Sequence, residues 1–199
     1  MKIFKIAAMV ALMSTMQILH ATTIDFSLET IGDKANGYTV SGVKFFDTVG
    51  AELNVNDFGN QSHGRALAVL DDDTSGIRML FSDIENSLSL SFGNDDPGYS
   101  APGDIALLRL FLGGVQVGQT TVTLNRNDLM DQTIGLTGIN FDEAYFVYAA
   151  SNFNPIGLIE VIDDITFTAV PEPSSVALLA LGLAGFGALR RKNPAQHKS

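Results

Sequence analysis

The chain has 199 residues, with 22 acidic against 12 basic side chains, a formal net charge of −10, and neither cysteine nor tryptophan. Without thiols there are no disulfides, no thiolate zinc site and no cysteine nucleophile. An acid excess without a basic stripe excludes nucleic acid as a partner, because phosphate contacts need clustered Lys and Arg.

The first 21 residues have the parts of a secretory signal peptide. Lys2 and Lys5 form the basic end, Ile6 to Met13 and Met16 to Leu19 an apolar helical stretch, and Leu19-His20-Ala21 the expected cleavage site. Removing residues 1–21 and the C-terminal segment 171–199 leaves 22–170, one domain's worth of chain with room for a sizeable core. Its only bases are Lys34, Lys44, Arg65, Arg78, Arg109 and Arg126, and every acid but Glu172 lies within it. Six bases against 21 acids give a domain charge of about −15. Repulsion on that scale weakens a fold unless acids are paired or bind cations, so divalent ions and neutral or cationic partners suit it best.

From Thr22 onward the pattern is strands and turns. Ile24 to Leu28 alternates, as does Tyr38 to Phe46, with Ser41-Gly42 read as a bulge. Ala66 to Leu70 and Ile77 to Phe81 flank the turn Asp71 to Gly76. Ser87 to Phe92 alternates strictly, and Ile105 to Leu112 is apolar on both faces apart from Arg109, as a central strand would be. Val115 to Val117, Thr120 to Leu124, Ile134 to Ile139, Ala144 to Ala149, Leu158 to Ile162 and Ile165 to Thr168 bring the total to about eleven strands. Arg126 to Asp131 is long enough for one helical turn. The expected fold is all-β: an antiparallel two-sheet sandwich without internal repeats, flanked by a signal-peptide helix and a C-terminal transmembrane helix.

At the C-terminus, Pro171-Glu172-Pro173 breaks the fold, because prolines fix φ, lack amide donors and push the preceding residues to extended geometry. Val176 to Leu189 follows without a charged or hydrogen-bonding side chain, and then Arg190-Arg191-Lys192. A helix over about 174–189 only just approaches the roughly 30 Å of a bilayer core, and the basic cluster belongs on the cytoplasmic side. This order resembles the PEP-CTERM sorting signal of exported Gram-negative proteins, with Pro171, Glu172 and Pro173 as the motif and Arg190, Arg191 and Lys192 as the cluster. The tail from Asn193 to Ser199 is longer than the abrupt stop usual in such signals. The resemblance implies an exosortase-type enzyme acting near the motif, an intermediate held in the inner membrane with its domain outside the cytoplasm, and a final place at the cell surface or beyond.

Three polar groupings invite a functional reading. Asp71 to Asp73 lacks the alternate spacing and distal Glu of a helix-loop-helix calcium loop and reads as a solvated hairpin turn. The loop Gly93 to Asp104 is rich in Gly and Pro, and its Asp95, Asp96 and Tyr99 are candidate ligand-binding residues. An acidic first strand at Asp25 and the step Ile162-Asp163-Asp164-Ile165 in the last resemble the jelly-roll carbohydrate-binding-module and galactose-binding-like superfamily. That resemblance implies a structural calcium ion, Ca2+, between the two strands, with Asp163 or Asp164 as a ligand and Asp25 or Glu29 as a second. The Asp-Asp pair also reads simply as one bulge residue and one exposed residue.

Catalysis has little support. His63 is the single histidine of the domain, and no Gly-x-Ser-x-Gly elbow or phosphate-cradling loop accompanies it. The resulting expectation is a non-enzymatic exported surface or extracellular-matrix protein that binds polysaccharide. A calcium-bridged adhesive protein is the alternative, with a hydrolase third.

Overall fold

Strict alternation decides the longest elements. In the computed structural model, which describes residues 21–170, Leu88, Leu90 and Phe92 turn inward and are buried, while Ser87 and Ser89 point the other way. The strands are β1 (Ala21–Ile24), β2 (Gly32–Lys34), β3 (Tyr38–Val40), β4 (Val43–Asp47), β5 (Leu53–Asp57), β6 (Arg65–Val69), β7 (Ile77–Gly93), β8 (Ile105–Leu112), β9 (Val115–Thr123), β10 (Gln132–Ala149) and β11 (Val161–Ala169). A 3-10 turn at Gly59–Gln61 is the only helical element among the described residues, and none of them forms a helix long and apolar enough to cross a membrane. All pairings are antiparallel, in the order β2-β5-β6-β11-β7-β10-β8-β9, with β1 added on β11 and β3-β4 on β7.

One continuous hydrogen-bonded sheet becomes a sandwich because the β7/β10 ribbon folds over. Phe92 pairs with Gln132 at one end of that ribbon, and Phe146 pairs with Ile77 at the other. A straight ribbon would separate these ends by about 50 Å. Instead the rings of Phe92 and Phe146 lie 5.8 Å apart, and Phe92 also meets Tyr148 edge-on at 6.1 Å. The ribbon turns at register shifts between Thr137, Phe141 and Glu143, where Gly138 takes a φ of 75° that a side chain would resist. Phe81 meets both Phe141 and Phe167 edge to face at this bend, each at a centroid distance of 5.2 Å.

The main core lies between the two halves and takes in Phe45, Leu53, Leu67, Leu90, Leu108 and Ile165. Two smaller clusters cover the outer faces. Ala66, Ala68, Met130 and Val161 form one, and Ile105, Leu107, Val147 and Ala149 the other. This second cluster explains why β8 is apolar on both faces. Strands and core all fall within the compact unit His20–Val170.

Several boundaries differ from those the sequence suggests. The first strand stops at Ile24 rather than Leu28, because Phe26 takes a φ of 51° and turns the chain. Ser41 and Gly42 are a two-residue hairpin turn with φ of 48° and 82°, not a bulge, since Val40 and Val43 pair across them. Asp71 to Gly76 is not a hairpin: β6 pairs with β5 and β11, whereas β7 pairs with β4, β10 and β11. Arg126 to Asp131 makes no helical turn, because Arg126 and Asp128 hold φ near 60°. Strand pairs expected as separate join into β7, β9, β10 and β11, and the short strands β2 and β5 are additions. The signal peptide and the transmembrane helix fall outside the described residues.

Candidate functional site

Two loops meet where β7 ends and β10 begins. Asp95 is only 1% exposed, and its carboxylate accepts the backbone amides of Arg126 and of Asp128, the latter at 2.8 Å. Both amides belong to residues at positive φ, so two charge-assisted hydrogen bonds hold a backbone that non-glycine residues otherwise avoid. Arg126 reaches back to the first loop, its Nε donating to the Ser100 carbonyl at 3.1 Å and a terminal nitrogen to the Pro97 carbonyl at 2.9 Å. Asp96 closes a side-chain turn onto the Gly98 amide at 2.6 Å, and its carbonyl accepts the Tyr99 and Ser100 amides.

On this braced base the Tyr99 ring stands 65% exposed. In the second loop Asn125 and Asn127 both donate to Asp131 at 2.7 Å, and the Asn127 bond is the largest cause holding that carboxyl below its usual range. Asn94 is tied to the Ile159 carbonyl and Gln61 to Asp128, each at 2.7 Å. The arrangement presents an exposed aromatic residue on a loop that is hydrogen-bonded to its neighbour through Asp95 and Arg126.

The acid step of the last strand has a different character. Ile24 pairs with Ile165, so the first and last strands are neighbours. Asp163 is fully buried; its Oδ1 accepts the Asp164 amide at 2.8 Å, its Oδ2 has no hydrogen-bond partner among the described residues, and burial pushes its pKa up to about 7. Asp164 sits at φ 48° in a bulge and meets the His63 Nδ1 at 2.7 Å, which raises the histidine pKa. Asp25 turns to its own loop, accepting the Ser27 amide at 3.1 Å and hydroxyl at 2.9 Å, and the amide bond above all keeps its pKa low.

As a calcium set these residues fit poorly. Asp163 offers one free oxygen, whereas Asp164 and Asp25 are engaged elsewhere, and no group of three His, Asp or Glu disposed to hold a metal occurs among the described residues. His63 is half exposed, and among the described residues no serine or threonine hydroxyl bonds to it.

Sequence reasoning passed over Glu160. It is 1% exposed, its Oε1 accepts the Tyr148 amide at 3.3 Å, its Oε2 has no hydrogen-bond partner among the described residues, and burial raises its pKa well above that of a free carboxyl. Beside it, the Tyr148 hydroxyl donates to the Gly93 carbonyl. The signal was present: one acid inside the apolar run Leu158-Ile159-Glu160-Val161-Ile162. A cleft of about 180 Å³ beside Asp25 and Glu29, and one of about 280 Å³ beside Lys44 and Leu80, are both smaller than a usual small-molecule pocket.

The last strand ends at Ala169, and the Val170 amide donates to the Ile84 carbonyl just before Pro171. Residues 169–192 match the model of the PEP-CTERM protein-sorting motif. The chain carries an export-sorting signal. No curated protein sequence matches it. Solved structures similar to it include the K1 cleaved adhesin domain of Lys-gingipain from Porphyromonas gingivalis, at 10% identity and a TM-score of 0.47, covering 76% of this chain and 99% of that one. The CBM22-1 xylan-binding domain of Paenibacillus barcinonensis Xyn10C is similar at 11% identity and a TM-score of 0.43, covering 79% and 99%. A DUF4465 family protein from Bacteroides caccae follows at 11% identity and a TM-score of 0.41, covering 76% and 100%.

Proposed function

We propose that this is a non-catalytic surface or extracellular-matrix protein, processed by an exosortase-type enzyme at its PEP-CTERM motif, whose sandwich binds extracellular polysaccharide on the loops carrying Tyr99. On this reading the protein passes through an inner-membrane intermediate with the domain outside the cytoplasm. The observation that carries the binding role is the exposed Tyr99 ring on a loop braced by Asp95 and Arg126. An aromatic face stacks on the apolar face of a sugar ring, while the carboxylate of Asp96, three residues away in the same loop, supplies a hydroxyl partner. Preorganised loops spare the binding step their ordering entropy.

Pull-down of the His20–Val170 unit with host exopolysaccharide and a panel of neutral polysaccharides tests the reading. Retention that Tyr99→Ala abolishes supports it; equal retention of both proteins, or of neither, overturns it. Calcium belongs to a second reading, an adhesive protein whose excess of acids is bridged to anionic matrix. That reading requires matrix attachment that a chelator removes and Tyr99→Ala leaves intact.

A further inference from the structure

The two ends of the sheet order are unlike. β2 is three residues long and carries Asp33 and Lys34, a short and charged edge of the kind that resists pairing. β9 is nine residues, Val-Gln-Val-Gly-Gln-Thr-Thr-Val-Thr, without charge or proline. One side of β9 is bonded to β8, and its other side pairs with no strand among the described residues. The strand is seated rather than frayed: Gly118 packs so closely on β10 that a Cβ there would come within 3.0 Å of Ile139. The Thr123 carbonyl is taken by Gln132 Nε2 at 2.9 Å, and among the described residues no strand bonds the outer row from Val115 to Thr121, which carries one bulge at Val117. Val115 is 67% and Val117 40% exposed along it.

We propose that β9 is the pairing edge of a homodimer, laid antiparallel against β9 of a second copy. The charge pattern selects that occupant. The domain is strongly acidic, so two copies repel wherever their acids face each other. Residues 105–127 contain no acid at all and one strand base, Arg109, whose Nε donates to Gln119 at 3.3 Å. This is the longest acid-free stretch of the domain, and its outer strand is neutral. A two-fold axis at Gly118 sets Val115 opposite Thr121 and Val117 opposite Gln119, so β-branched and amide side chains meet with no like charges opposed. The pairing joins two sandwiches into one sheet.

The His20–Val170 unit contains every described strand and the whole main core, so it serves as the test protein. Sedimentation equilibrium in the presence of EDTA, which separates this contact from any cation bridge, should show a concentration-dependent monomer and dimer. Val117→Lys places charge on the edge of both copies and should weaken the dimer about tenfold or more, whereas Val49→Lys, on an exposed loop, should leave it unchanged. Circular dichroism checks each fold, and Gln119→Lys stands in if Val117→Lys is not native. Because the chain lacks cysteine, mixing Val117→Cys with Gln119→Cys protein gives an unambiguous cross-link when the two strands pair. A monomer at every concentration overturns the proposal, as does a dimer that neither lysine weakens.

Discussion

Asp95 and Arg126 brace each other's loops in both directions. The Asp95 carboxylate accepts the Arg126 amide, and the Arg126 guanidinium donates to the carbonyls of Ser100 and Pro97 in the loop that Asp95 begins. Removing either group therefore loosens both loops at once. Asp95→Ala should cost about 1–3 kcal/mol, the usual penalty for buried donors left without an acceptor. Urea unfolding measures it, and faster amide exchange at Arg126 and Asp128 locates it. Unchanged exchange at those two amides would show that the carboxylate does not hold the loop.

Tyr99 makes a separable contribution. Its ring is exposed, so Tyr99→Ala should leave the melting temperature within about a degree, as surface substitutions do. A large loss of stability on Tyr99→Ala would mean that the ring serves packing instead of a ligand.

The Asp163 carboxyl titrates near pH 7 in the folded protein, above its ordinary value of 3.8. The native state thus holds a proton that the unfolded chain releases, and stability falls as pH rises from about 4 to about 7. His63 has the same sign: its bond to Asp164 raises its pKa, so the stability it adds is complete below the unfolded value and fades as pH climbs through the folded one. Thermal unfolding from pH 5 to pH 8 should show this decline, and Asp163→Asn should flatten it. A profile that rises with pH and is unaltered by Asp163→Asn would refute the assignment.

Burial raises the Glu160 pKa well above that of a free carboxyl, so Glu160→Gln, a neutral isostere, should be tolerated and should gain stability relative to the parent as pH rises. Glu160→Ala should cost about 1–3 kcal/mol, because it leaves the Tyr148 amide without an acceptor. Equal losses for the two variants would mean that the carboxyl group itself, which glutamine does not reproduce, sets the cost, and not its volume or its acceptor oxygen.

Leu90 shows what was legible in the sequence, and Glu85 shows what was not. Leu88, Leu90 and Phe92 announce their strand by alternation, and the doubly apolar β8 announces burial on both faces; local periodicity suffices there. Asp83, Glu85 and Asn86 read as a gap between two strands, but Glu85 is buried opposite Phe141 and β7 runs on through a register shift. Such continuity depends on what lies across the sheet, and a local pattern does not carry it. The sandwich class was therefore readable and the folded ribbon was not. The same holds for the loops: Asp95 stands out as a polar loop residue, while the amides it binds, at Arg126 and Asp128, are distant in sequence. The missed strand β2 is only three residues long, and β5, though it alternates from Leu53 to Asn56, takes its polar positions from asparagine, a residue that strands disfavour and turns prefer.

The register of β11 also settles how the domain would be displayed. Val161 lies opposite Gly93, where the Tyr99 loop begins, whereas Ala169 lies opposite Glu85 and Ala21 lies opposite Thr168. Entry and exit of the chain thus share one pole, and the loop that carries Tyr99 leaves from the other, about 26 Å along the strand. A pull on the C-terminal end of the domain would therefore act at the pole opposite the one from which the Tyr99 loop leaves. Load arriving there would travel down a strand bonded along both edges, so the hydrogen bonds would meet it together in shear instead of opening one at a time.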